Sequence, residues 1–131
     1  MTQRLATVTL IVRDYDEAIV WYTRALGFAL AEDTDLGNGK RWVVLKPLAD
    51  AGARLLLARA VGPEQAARVG DQTGGRVAFF LETSDFAARH AAMVRAGVVF
   101  TENPRHEPYG IVAVFRDLYG NLWDLIEPQG R

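Results

Sequence analysis

The spacing of hydrophobic residues along the chain changes several times, and the changes mark out elements. Residues 6–12, ATVTLIV, are β-branched and apolar and predict a strand. The spacing then turns helical through Ala18, Ile19, Tyr22 and Leu26 of RDYDEAIVWYTRALGF, with Asp14 and Glu17 placed as a capping box and Gly27 as the stop. FALAEDT and RWVVLKP read as strands on either side of DLGNGK, whose Asn38-Gly39 pair signals a hairpin. ARLLLARA, residues 53–60, is a further strand. The polar stretch 61–75, VGPEQAARVGDQTGG, predicts one helical turn after Pro63 and has the character of a hinge or lid, with Gln65, Arg68 and Gln72 able to close over a ligand.

The order then repeats. Strand RVAFFLE (76–82) precedes helix SDFAARHAAMVRAG (84–97), strand VVFTE (98–102), and two strands within EPYGIVAVFRDLYGNLWDLIEP (107–128), where DLYGN is a turn. Thirteen residues separate cap from stopping glycine in both halves, Asp14 to Gly27 and Ser84 to Gly97. The pattern predicts an α+β fold: two tandem β-α-β-β-β modules whose mostly antiparallel sheets form a concave cleft. We expect one domain over 1–131, with module one at about 5–60, a connection at 61–75 and module two at about 76–128.

Side chains alternate across a strand, so each strand sorts its residues between the helix side and the open side. Val8, Leu10 and Val12 separate from Thr7, Thr9 and Ile11. Val77, Phe79 and Leu81 are expected on the helix, with Arg76, Ala78, Phe80 and Glu82 towards the cavity. Trp123 and Leu125 share a face, Trp123 being core, while Leu122, Asp124 and Ile126 share the other. Asp124 thus sits as a carboxylate among apolar neighbours, and an isolated charge out of water is costly. Parity turns Thr7, Arg76 and Asp124 towards one surface, and suggests that the guanidinium of Arg76 pairs with Asp124. A purely structural ion pair explains those two residues equally well.

Composition narrows the function classes. Of 131 residues half are hydrophobic, enough for a core, and a net charge of −1 gives no field to attract nucleic acid or anionic lipid. Cysteine is absent, which excludes disulfides, thiolate metal sites and a cysteine nucleophile and points to a reducing compartment; with no run long enough to span a membrane, the expected location is the cytoplasm. The two histidines, His90 and His106, fall on a helix and in a loop. His106 is more simply solvated than a proton carrier. Trp42 and Tyr109 are candidate pocket walls, although strand aromatics more often serve the core. Glu82 is a candidate general base without an evident partner.

The capping-helix pattern VRDYDEAIVWYTRALGF, the duplicated unit and the ending FRDLYGNLWDLIEP together resemble the vicinal oxygen chelate superfamily, which includes glyoxalase I, extradiol dioxygenases, and fosfomycin- and bleomycin-resistance proteins. The resemblance spans essentially the whole chain. In its metal-dependent members each half supplies ligands from its first and last strands, commonly His or Gln and Glu. Those positions fall here on Thr7, near Leu56, on Arg76 (or Val77 if the register shifts by one) and on Asp124, so only one of four keeps a suitable donor. The resemblance therefore implies a member without metal or other cofactor that binds a small organic molecule in its cleft through Thr7, Thr9, Trp42, Arg76, Phe80, Tyr109 and Asp124. The competing reading is a glyoxalase-like lyase or isomerase in which Arg76 replaces the metal electrostatically and Asp124 or Glu82 moves the proton. A metal-dependent dioxygenase is weaker still. Relatives of this type often form homodimers.

Overall fold

A computed structural model describes residues 1–49 and 52–130. The chain divides into two compact units, Met1–Val69 and Gly70–Arg131, each built as a sheet with a helix.

The first unit contains β1 (Thr7–Val12), α1 (Tyr15–Ala25), β2 (Ala29–Gly37), β3 (Lys40–Lys46), β4 (Arg54–Arg59) and the short α2 (Gly62–Ala66). Its strand order is β1-β4-β3-β2, with β1 and β4 parallel and the other pairs antiparallel. Helix α1 begins where expected, because the Asp14 carboxylate accepts from the Glu17 N–H at 2.8 Å and satisfies a donor that a helix start leaves open. It stops at Gly27, whose φ of 72° is one that a side chain disfavours. Asn38 and Gly39, at φ 56° and 78°, make the tight β2–β3 turn. Leu10, Val12, Tyr22, Val43, Leu45 and Leu57 are buried at its core. The helical turn after Pro63 is present as α2.

The second unit contains β5 (Val77–Glu82), α3 (Phe86–Arg95), β6 (Val99–Phe100), β7 (Arg105–Glu107), β8 (Gly110–Arg116) and β9 (Leu122–Pro128). Its order, β5-β9-β8-β6, reproduces that of the first sheet, again with the unit's first and last strands parallel, and β7 is added against β8. The duplication is thus topological, and the fold is α+β with two mixed sheets of four and five strands. Trp123, Leu125, Phe115, Ala113, Met93 and Phe86 are buried, and Trp123 is core as parity predicts.

Three expectations for this unit need correction. The cap of α3 is Asp85, which accepts from the Ala88 N–H at 3.1 Å, rather than Ser84. The strand expected over 98–102 shrinks to Val99–Phe100. There the Glu102 carboxylate takes the Val114 N–H at 3.0 Å, substituting a side chain for a ladder carbonyl, and Pro104 has no N–H to continue. The segment around His106, expected as a loop, instead forms β7 against β8. No helix among the described residues is long and apolar enough to cross a membrane.

Candidate functional site

Each sheet has one face under its helix and one open face, and register assigns residues to them. On the first sheet Thr9 stands opposite Leu56, Ile11 opposite Ala58 and Val44 opposite Leu56. This face carries Thr7 and Thr9, both exposed, and Trp42, 42% exposed with its indole N–H donating to the Glu32 carboxylate. The preference for Trp42 as core is therefore corrected. An edge-ward position on β3 leaves its ring partly uncovered, and a carboxylate holds its polar end. Beside this face Ile11, Pro63, Glu64, Gln65, Ala67 and Arg68 line an open pocket of about 600 Å³. Two of the three residues expected to close over a ligand, Gln65 and Arg68, are in that lining. Gln72 instead donates its backbone N–H to Asn121 Oδ1 at 3.1 Å, within the second unit.

The second sheet's open face holds Asp124. Its register partners are Phe80 on β5 and Val114 on β8, and Ile126 follows on the same side. Phe80 is 66% exposed, and Glu82 lies opposite Ile126. One strand away, Arg105 pairs in register with Val112, which itself faces Ile126, so the guanidinium rises from this side. Its Nε reaches both oxygens of Glu102 at 3.0 and 3.1 Å, and Nη1 lies 3.4 Å from Glu107. Tyr109 is 53% exposed, so it too stands outside the core that was preferred for it.

Asp124 is half-buried, and its Oδ1 is fully buried without a hydrogen-bond partner among the described residues. Burial pushes its carboxyl above the ordinary value; the positive field of Arg105 opposes this and the negative field of Glu102 adds to it. The cation that acts on Asp124 is thus Arg105, which corrects the expected pairing with Arg76. The physical reason is a bulge. Register jumps from Val77↔Leu122 to Phe79↔Trp123, so Ala78 is an extra residue and alternation breaks before it reaches Arg76. Val77, the one-residue alternative, shares the side of Leu122 and Asp124, while Arg76 precedes the strand with its carbonyl accepting from Thr73 Oγ1 at 2.6 Å. Sequence parity could not register this insertion, and Arg105 was missed as a partner because β7 was not anticipated.

The neighbouring acid behaves differently. Asp117, buried in the turn before β9, accepts at Oδ1 from the N–H groups of Tyr119, Gly120 and Asn121, and at Oδ2 from Asn121 Nδ2 and Trp123 Nε1, all within 2.9–3.1 Å. It is a structural hub. His90 lies between Phe86 and Phe100, with ring centroids 5.4 and 4.3 Å away, and His106 is exposed opposite Ile111 on the side away from Arg105.

A model of the Glyoxalase/Bleomycin resistance protein/Dioxygenase superfamily matches residues 4–125. The chain belongs to this superfamily. An uncharacterized protein of Shewanella frigidimarina (strain NCIMB 400) is 49% identical over 97% of this chain and 95% of its own. Among solved structures, UcmS2 superposes with a TM-score of 0.83 at 30% identity, covering 97% of this chain and 99% of that one. TnmS3, an antibiotic binding protein from Streptomyces sp. CB03234, superposes with a TM-score of 0.77 at 26% identity over 98% of each.

Superfamily membership raises the question of a metal, and the donor set does not fit one. Thr7 faces Arg54 across the β1–β4 pair, Leu56 faces Thr9, and Val77 faces Leu122, so of the matched positions only Asp124 offers a carboxylate. No group of three or more His, Asp and Glu side chains among the described residues is arranged to hold a metal ion.

Proposed function

We propose that this superfamily member binds a small organic molecule on an open sheet face without using a metal. The observation that carries the reading is Asp124: a half-buried carboxylate with an unpartnered, fully buried oxygen beside a solvent-exposed Phe80. A carboxylate short of donors is a standing cost to the fold, and because Asp124 is only half-buried a ligand on this face can donate to it and offset part of that cost. The candidates on the second unit are Phe80, Asp124 and, in the β7–β8 turn, Tyr109, with Arg105 taking the electrostatic part first given to Arg76; those on the first unit's own face are Thr7, Thr9 and Trp42. The likeness to an antibiotic binding protein supports binding as the activity class.

A second reading has one specific support. The upward shift of the Asp124 carboxyl lets it hold a proton at higher pH than an ordinary aspartate, as a proton carrier in a glyoxalase-like lyase or isomerase would. Glu82 would then be the second group. We place the protein in the cytoplasm as a homodimer, a state that sedimentation velocity reports directly.

The deciding experiment is a thermal-shift screen of purified protein against divalent metals and a library of small acids, aromatic metabolites, thiol conjugates and antibiotics. Stabilisation by an organic compound and none by metal is the expected outcome. A clear shift with metal alone overturns the reading, and consumption of a stabilising compound moves the lyase reading ahead.

A further inference from the structure

The chemistry around Asp124 restricts what the second sheet accepts, an inference that rests on the binding reading above. Anions are disfavoured first. Glu82, Glu102 and Glu107 accompany Asp124 on or beside the face, and the Arg105 guanidinium is already engaged by both oxygens of Glu102 and by Glu107. An incoming carboxylate or phosphate therefore meets several acids and an arginine whose donors are largely occupied.

What the face lacks is a donor and a cover. Asp124 is only half-buried, and its buried Oδ1 has no donor among the described residues, so the complement of the carboxylate is an O–H or N–H rather than another acceptor. Phe80 is the register partner of Asp124 on the adjacent strand, and neighbouring strands lie about 4.8 Å apart. Its ring is two-thirds exposed, which for an aromatic side chain leaves a broad apolar surface in water. An aromatic plane laid on Phe80 brings a substituent on its edge to the level of Asp124. Val114 and Ile126, half-buried on either side of Asp124 along β8 and β9, extend the apolar floor under the same plane.

We infer that the second sheet binds a planar aromatic molecule, neutral or cationic, that stacks on Phe80 and donates an edge O–H or N–H to the half-buried Asp124 carboxylate. The donor selects the ligand and the ring supplies most of the contact. A hydrogen bond to a charged or desolvated acceptor is worth about tenfold or more in affinity, and leaving that acceptor unpaired inside a complex adds to the discrimination.

Three probes of one ring system test it: 2-naphthol, 2-methoxynaphthalene and 2-naphthoate, titrated into the full chain and followed by protein-observed NMR at Phe80 and Asp124. The expected order is naphthol tightest, the methyl ether weaker by about tenfold or more, and the carboxylate weakest. Asp124→Leu should erase the preference of naphthol over its ether while keeping a folded spectrum, and Phe80→Ala should weaken both without changing their ratio. Equal affinity for naphthol and ether, or tightest binding of naphthoate, overturns the inference but leaves binding as the function. If none of the three binds while an unrelated compound from the thermal-shift screen does, the ligand class is wrong and the binding reading stands. If nothing in either set binds, both fall.

Discussion

Asp117 and Asp124 stand seven residues apart on the same stretch of chain, and the fold treats them in opposite ways. Asp117 is enclosed by three backbone N–H groups, an amide and an indole, so both of its oxygens are satisfied and its charge organises the turn into β9. Asp124 lies mid-strand, where backbone donors are committed to the ladder, and one of its oxygens is buried with no partner among the described residues. An acid that a fold requires is surrounded by donors. An acid left short of donors, on an open face beside an exposed aromatic ring, is placed for something outside the chain.

Breaking the hub should have the largest effect. Asp117→Ala removes five hydrogen bonds from a buried turn, of whose donors Gly120 keeps the Asp117 carbonyl, and should cost about 4 kcal/mol of stability, measured as a fall in the urea midpoint; a loss below about 1 kcal/mol would show that water replaces the carboxylate freely. The support beneath the hub comes next. Gly70 has φ +77°, and a Cβ there would lie 2.0 Å from the Tyr119 carbonyl oxygen, so no side chain fits without moving backbone. Gly70→Ala should cost about 2 kcal/mol or more by the same measurement.

Asp124→Leu should change stability in the other direction. Replacing an underpartnered buried carboxylate with an apolar side chain of similar size should leave the protein equally stable or about 1 kcal/mol more so. A loss comparable to that of Asp117→Ala would make Asp124 a structural residue and remove the contrast between the two acids.

The smallest effect is a pH dependence, and its sign follows from the upward shift at Asp124. Because the folded state holds the proton more tightly than the unfolded chain, the folded state binds more protons between the ordinary value of 3.8 and the raised one. Stability contributed by this group is therefore present below about pH 4 and is lost as pH rises through the folded value. Urea melts of wild type and Asp124→Leu at a series of pH values should show the variant gaining on wild type as pH rises, then running parallel. A constant difference across the series would mean that Asp124 titrates as an exposed acid.

Much of this fold could be read from local pattern. The Asp14 cap, the glycine stops at 27 and 97, the Asn38-Gly39 turn and the helix-side parity of Trp123 and Leu125 depend on near neighbours in sequence, and each is where the pattern put it. Trp42 and Tyr109 were harder to place, because β-propensity reports fitness for a strand without reporting how much of the ring a neighbour covers. Arg76 illustrates a sharper limit: parity carries a residue's face along a strand only while alternation holds, and one extra residue at Ala78 ends it.

The sequence by itself determined the duplicated order of elements, the turns, the superfamily, and the oddity of a carboxylate at Asp124. Tertiary structure decided which cation that carboxylate meets. The charge of Arg105 acts on it from β7, a three-residue strand with almost no local signal that exists because β8 offers it an edge. Caps and turns are fixed by interactions a few residues long, whereas the partner of a buried charge is fixed by strand register across the sheet, which no local pattern encodes.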